Sequence, residues 1–106
     1  MKNSHKTLLF PGSFDPFTIG HKWVVDKALE IADKVVIAIG INENKRRTFA
    51  VEDVAEKIKK AYAQDLRVEV ITYKGLTIDI AKEVEATAIV RGVRSTIDFE
   101  YEKNIA

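Results

Sequence analysis

Phe10-Pro11-Gly12-Ser13-Phe14-Asp15-Pro16-Phe17-Thr18-Ile19-Gly20-His21 joins the end of an apolar run to the start of an amphipathic one. Thr7-Leu8-Leu9-Phe10 has the length and content of a buried strand, and Pro11, lacking an N–H, is expected to end it. Gly12 lets backbone approach a ligand with no Cβ in the way, and Ser13 adds a hydroxyl. A helix is expected to open near Gly20, with His21 in its first turn. A helix start carries unpaired N–H groups and the positive end of the dipole, so strand, loop and helix together form a place suited to phosphate.

The hydrophobic period alternates along the rest of the chain. Val24, Val25, Ala28, Leu29 and Ala32 recur at helical spacing, predicting a helix over about 20–32. Lys34-Val-Val-Ile-Ala-Ile-Gly-Ile41 is almost continuously apolar, as in a strand covered on both faces. Val51, Val54, Ala55, Ile58, Ala61 and Tyr62 make a second helical stripe, with Asp53/Lys57 and Glu56/Lys60 spaced as i,i+4 pairs. Arg67–Tyr73 predicts a third strand, Ile78–Val84 a short helix and Thr87–Val90 a fourth strand. A last helix is expected from Ser95 or Thr96, capped with the help of Asp98. The order β-α-β-α-β-α-β-α argues for a doubly wound parallel sheet with right-handed crossovers, in one domain over residues 1–106.

Composition narrows the partners. With 17 Lys+Arg against 16 Asp+Glu the net charge is +1, so no global field points to nucleic acid or to an anionic membrane. No cysteine is present, which excludes disulfides and thiolate metal sites. No apolar run approaches the ~20 residues needed to span a bilayer, and the expectation is a soluble, cytoplasmic protein. No His/Asp/Glu cluster has metal-ligand spacing, so a metal would arrive with a nucleotide.

In an open α/β sheet, ligands bind beyond the carboxyl ends of the strands. Ser13, Thr18 and His21 follow strand one; Asn42, Asn44, Lys45, Arg46 and Arg47 follow strand two; Leu76 and Thr77 follow strand three; Arg91 and Arg94 follow strand four. Cations from separate segments thus converge in a nearly neutral chain, which suits two phosphate-bearing ligands. Blander readings stand beside this one. Ser13 also fits a turn or cap, and His21 a surface or core histidine. Arg46 and Arg47 read better as a solvated loop, Lys45 reads equally either way, and Asp98, Glu100 and Glu102 could pair with Arg91 and Arg94 inside the fold. Trp23 fits either core or pocket wall.

Pro11–His21, the basic loop with Lys45, and Arg91-Gly92-Val93-Arg94 followed by Asp98-Phe99-Glu100-Tyr101-Glu102 resemble the phosphopantetheine adenylyltransferases. These belong to the nucleotidyltransferase superfamily with a His/Thr-x-Gly-His motif. The first motif marks only the superfamily; the second is more particular. The resemblance covers the chain from about residue 8 onward and implies a Rossmann-like fold, usually assembled as a homo-oligomeric hexamer. The implied reaction is adenylyl transfer from ATP, with Mg²⁺, to 4′-phosphopantetheine, giving dephospho-coenzyme A and pyrophosphate.

The resemblance also implies roles. His21 would hold ATP phosphate and stabilise the transition state. Ser13, where family members often have Thr, would touch the acceptor phosphate near the ATP phosphates. Lys45 and Arg91 would bind the acceptor phosphate, with Thr77 lining that subsite. Phe14, Gly92, Val93, Arg94 and Glu102 would belong to the ATP subsite. Family members continue into a fifth strand and a Ser-rich loop opening a further helix. The expectation is therefore that strand four forms an exposed sheet edge here, and that this chain binds phosphopantetheine while transferring adenylyl groups poorly. A non-catalytic nucleotide-binding piece of the fold, or another nucleotidyltransferase such as a cytidylyltransferase, are the other readings.

Overall fold

Val35–Ile39 are shut off from solvent without a break, as a strand sandwiched between helical layers must be. The computed structural model describes residues 6–42, 44, 46–93 and 96–101. In chain order these form β1 (Thr7–Gly12), α1 (Ile19–Leu29), β2 (Lys34–Gly40), α2 (Val51–Ala61), β3 (Val68–Tyr73), α3 (Thr77–Glu83), β4 (Ala88–Val93) and β5 (Thr96–Tyr101). One sheet has the order β3-β2-β1-β4-β5. Its first four strands pair in parallel, and β5 runs antiparallel to β4.

Strand alternation splits the core in two. Leu8, Phe10, Val35, Ile37, Ile39 and Val90 pack with Val24, Val25 and Ala28 of α1 and Val54 and Ile58 of α2. Leu9, Val36, Ala38 and Ile89 pack on the opposite face with Ala81 of α3. The chain steps one way from β1 to β3 with helices on one face, then crosses back to β4 with its helix on the other. Reversing direction and face together keeps one hand throughout, as the crossover rule requires. Trp23 packs against the α1/α2 side of the core.

Two expectations about strand ends are corrected. β1 does not stop at Pro11 but continues to Gly12, pairing Pro11 with Ala38 and Gly12 with Ile39. Its pairing with β4 covers only Leu8↔Ala88 and Leu9↔Ile89. Beyond Leu9 the strand has a neighbour on one side only, and a proline is tolerated where one side of the ladder is open.

The second correction concerns the segment after β4. No helix begins at Ser95 or Thr96; Thr96–Tyr101 is β5, in register from Val93↔Thr96 to Ala88↔Tyr101. In Thr96-Ile97-Asp98-Phe99-Glu100-Tyr101 the apolar or aromatic Ile97, Phe99 and Tyr101 alternate with the polar Thr96, Asp98 and Glu100, a period of two that suits a strand. The expectation of an exposed β4 edge therefore falls, because β5 occupies it.

Candidate functional site

The splaying of β1 from β4 after Leu9 opens the sheet at the point where strand order reverses. This switch point is where open α/β sheets bind ligands. The loop 13–18 lies at its lip and leads into α1. Phe14 there adopts a positive φ of 48°, an arrangement that costs on the order of 1–3 kcal/mol for a non-glycine residue and persists only where its surroundings hold it. They do. The buried Phe14 ring meets Phe10 edge-on at 5.1 Å, Phe17 at 5.4 Å and the His21 imidazole edge-on at 4.9 Å. Phe14 is thus a core side chain of the loop.

Gly12 serves the same ring. A Cβ at this position would meet three Phe14 ring atoms at 3.0–3.2 Å, so the missing side chain makes room for Phe14 as well as bordering the crevice. At Gly20 the nearest atom to a Cβ would be Thr18 Oγ1, at an ordinary 3.6 Å. Nothing in the fold demands glycine there.

His21 is held by a capping box. The backbone N–H of Thr18 donates to His21 Nδ1 at 2.9 Å, and the backbone N–H of His21 donates to Thr18 Oγ1 at 3.3 Å. A backbone N–H can only donate, so Nδ1 is the bare nitrogen and the imidazole proton sits on Nε2. The half-buried position of the ring holds its pKa below the ordinary histidine value, because burial disfavours the cation. His21 is therefore a neutral ring whose Nε2–H is its one donor.

A second connection ties this loop to the segment after β2. Arg47 donates from Nη1 to the Ser13 carbonyl at 2.6 Å, from Nη2 to the Phe14 carbonyl at 3.3 Å and from Nε to the Phe49 carbonyl at 2.7 Å. In return, Asp15 accepts the Thr48 N–H on Oδ2 and the Phe49 N–H on Oδ1, each at 2.7 Å. The solvated-loop reading of Arg47 is thereby corrected, since its guanidinium is spent on backbone carbonyls. Arg46 is exposed.

Between these loops lies an open cavity of about 550 Å³, bordered by Ser13, Gly40, Asn42, Asn44, Tyr73 and Lys74 among others. Tyr73 Oη lies 3.1 Å from the Oγ1 of Thr77, the first residue of α3. The structure thus brings Ser13 and the segment after β2 around one cavity, with His21 on the neighbouring helix start and Thr77 attached through Tyr73. Arg91 lies exposed on β4 in register with Asp98, and Gly92 and Val93 complete that strand. Lys45, Arg94 and Glu102 lie outside the described residues. Sequence reasoning did not single out Asp15, Tyr73 or Lys74. The available signal for the last two was their place directly after β3, at the same sheet edge as Ser13.

The chain belongs to the cytidylyltransferase-like family, whose model matches residues 9–106. Within it, relatives named phosphopantetheine adenylyltransferase are similar over 98 residues, or 92% of this chain. They are 53% identical in Bacteroides thetaiotaomicron, 54% in Porphyromonas gingivalis and 57% in Phocaeicola vulgatus. The match takes in 65%, 64% and 65% of those relatives, so the chain spans slightly less than two thirds of their length. The resemblance read from residues 11–21 and 91–102 is borne out at this level.

Proposed function

We propose that the chain transfers the adenylyl group of ATP to the phosphate of 4′-phosphopantetheine, releasing pyrophosphate and giving dephospho-coenzyme A. The observation that carries this reading is the identity of 53–57% to proteins of that name over 98 residues, 92% of this chain. An acceptor phosphate oxygen attacks the α-phosphorus of ATP; that P–O bond forms as the bond to the bridging oxygen breaks, and the electron pair leaves on pyrophosphate. The nucleophile is already ionised at neutral pH, so no general base is needed. The protein's task is to hold two polyanions in line and stabilise the charge on the leaving group.

The described residues suit that task. Nε2–H of His21 and the first-turn amides of α1 are donors at the switch point. Ser13 lines the cavity that would take the acceptor. By the resemblance, Arg91 and Lys45 are assigned to the acceptor phosphate with Thr77 lining that subsite, and Phe14, Gly92, Val93, Arg94 and Glu102 to the nucleotide. Phe14 would act through its backbone, since its ring is buried.

Among the described residues no three carboxylate or imidazole side chains gather as a metal cage. In this reading Mg²⁺ would arrive with the ATP phosphates, where it supplies neutralising charge. Homo-oligomeric assembly and a cytoplasmic location belong to the same reading. No described helix is long and apolar enough to cross a membrane.

Pyrophosphate release by the purified chain, with ATP and phosphopantetheine together and singly, tests the reaction. Release only with both substrates is expected. Release with CTP in place of ATP would assign a cytidylyl transfer, and ATP binding without release would leave a nucleotide-binding module.

A further inference from the structure

Two loops meet beside the switch point, one after β1 and one after β2. Ser13, Phe14 and Asp15 follow β1, and Asn42, Asn44, Arg47, Thr48 and Phe49 follow β2. Such loops ordinarily move independently. Here five hydrogen bonds run across or fasten the junction, and they are reciprocal. Arg47 of the second loop reaches the carbonyls of Ser13 and Phe14 in the first, and Asp15 of the first accepts the amides of Thr48 and Phe49 in the second. Arg47 also closes onto its own loop through the Phe49 carbonyl.

We propose that Arg47 and Asp15 are positioning residues, a two-way clasp that holds the Ser13–Phe14 backbone in the orientation the adenylyl-transfer site requires. The inference rests on the proposed function for the reaction it serves. Its chemistry is local. A peptide is planar and trans, so a carbonyl turned toward Arg47 points the next residue's N–H the opposite way. Drawing the Ser13 and Phe14 carbonyls onto one guanidinium therefore sets the direction of the Phe14 and Asp15 amides together.

The clasp also fixes Phe14, whose ring lies 4.9 Å from the His21 imidazole. A disturbance at residue 47 thus reaches the donor on α1 without any contact between Arg47 and substrate. A fork geometry is needed, because Nη1 and Nη2 serve neighbouring carbonyls while Nε serves a third. A lysine ammonium offers one donor centre and cannot span them. Asp15 is equally particular, since each of its two oxygens accepts one amide; in asparagine one of them becomes an NH₂ facing a donor.

The test compares the parent chain with Arg47→Ala, Arg47→Lys and Asp15→Asn, by thermal melting, ATP titration and steady-state pyrophosphate release. Each variant is expected to melt within a few degrees of the parent and to lose on the order of 10²-fold in kcat, the scale of a misplaced reacting geometry, with the KM for phosphopantetheine changed far less. Guanidinium chloride at tens of millimolar is expected to restore part of the kcat of Arg47→Ala, and methylammonium to restore none. A kcat within threefold of the parent in Arg47→Ala, or a loss that guanidinium leaves untouched, would overturn the proposal. Should Arg47→Ala not fold, Arg47→Lys and Asp15→Asn decide it by the same kcat criterion. A parent that releases no pyrophosphate at all would instead overturn the proposed function. The clasp is then judged on ATP affinity alone, which must fall at least tenfold in Arg47→Ala.

Discussion

Thr18 and His21 cap one another: the Thr18 amide sits 2.9 Å from Nδ1 of the imidazole, and the His21 amide 3.3 Å from the threonine hydroxyl. In a capping box the third residue of the helix is normally Glu or Gln, whose flexible side chain reaches back with an oxygen. Histidine performs the same duty with one ring nitrogen and keeps a second. The motif Thr-x-Gly-His thus supplies structure and a directed donor from one side chain.

This division of labour is testable with two substitutions. His21→Gln retains a side-chain oxygen able to cap Thr18 but replaces the rigid ring Nε2–H with an amide N–H₂ on a flexible chain; His21→Ala lacks both cap and donor. Adenylyl transfer is expected to fall about 10²–10³-fold in kcat in each, as for a donor used mainly in the transition state. Stability should separate them, His21→Ala losing about 1 kcal/mol for an exposed hydrogen bond and His21→Gln less. Denaturant titration beside steady-state kinetics reads both quantities. Transfer at the parental rate in His21→Gln would confine His21 to capping.

The same pair sets a pH dependence. The folded-state pKa of His21 lies below its unfolded value, through burial, so between those two values the unfolded chain binds more protons. Stability therefore rises with pH across that window. The contribution of the neutral ring is complete above about 6.5, the ordinary histidine value, and is lost as pH falls from there through the folded pKa. Protonating Nδ1 would also set an N–H against the Thr18 amide. Melting curves from pH 7.5 to 5 should thus fall more steeply for the parent than for His21→Gln. Parallel curves would mean that His21 does not contribute to the acid loss.

Most of the framework was legible because each element buries apolar residues at its own period. Val35–Ile39 admits no face for solvent, and Val54 and Ile58 of α2 bury the stripe seen in the sequence. β5 was misread because Ser95 and Asp98 have helix-start spacing; the alternation from Thr96 to Tyr101 was the stronger signal. In the site, phosphate-type residues were legible by their position after strands. The roles of Arg47 and Asp15 were not, since a basic loop looks alike whether its guanidinium faces water or backbone carbonyls. Phe14 was assigned to the nucleotide by resemblance, and only the packing of its ring against Phe10, Phe17 and His21 reveals why a phenylalanine stands there.

Gly12→Ala should act on the fold first. Its new methyl would press on the Phe14 ring at 3.0–3.2 Å, and that ring is only 3% exposed, leaving it little room to retreat. Overpacking of this kind costs typically 1–3 kcal/mol. The displaced ring lies against His21, so transfer should weaken as well. Urea denaturation checks the first effect, and a midpoint equal to the parent's would show that the Phe14 stack yields more easily than its packing implies.

Gly20→Ala should show the opposite pattern. Gly20 is the second residue of α1, its would-be Cβ has only an ordinary 3.6 Å contact with Thr18 Oγ1, and it is exposed. Alanine in a helix is worth up to about 1 kcal/mol over glycine, so the variant should be as stable as the parent or more so. A methyl group at this place would stand beside the first-turn amides, where the proposed function brings a phosphate oxygen close. Loss of that approach should weaken ATP binding at least about tenfold, or 1.4 kcal/mol. Calorimetric titration of ATP and thermal melting of the same preparation supply the two readings. A variant that is more stable and binds ATP undiminished would mean that no phosphate is seated at the start of α1, and the nucleotide subsite would have to be sought elsewhere along the switch point.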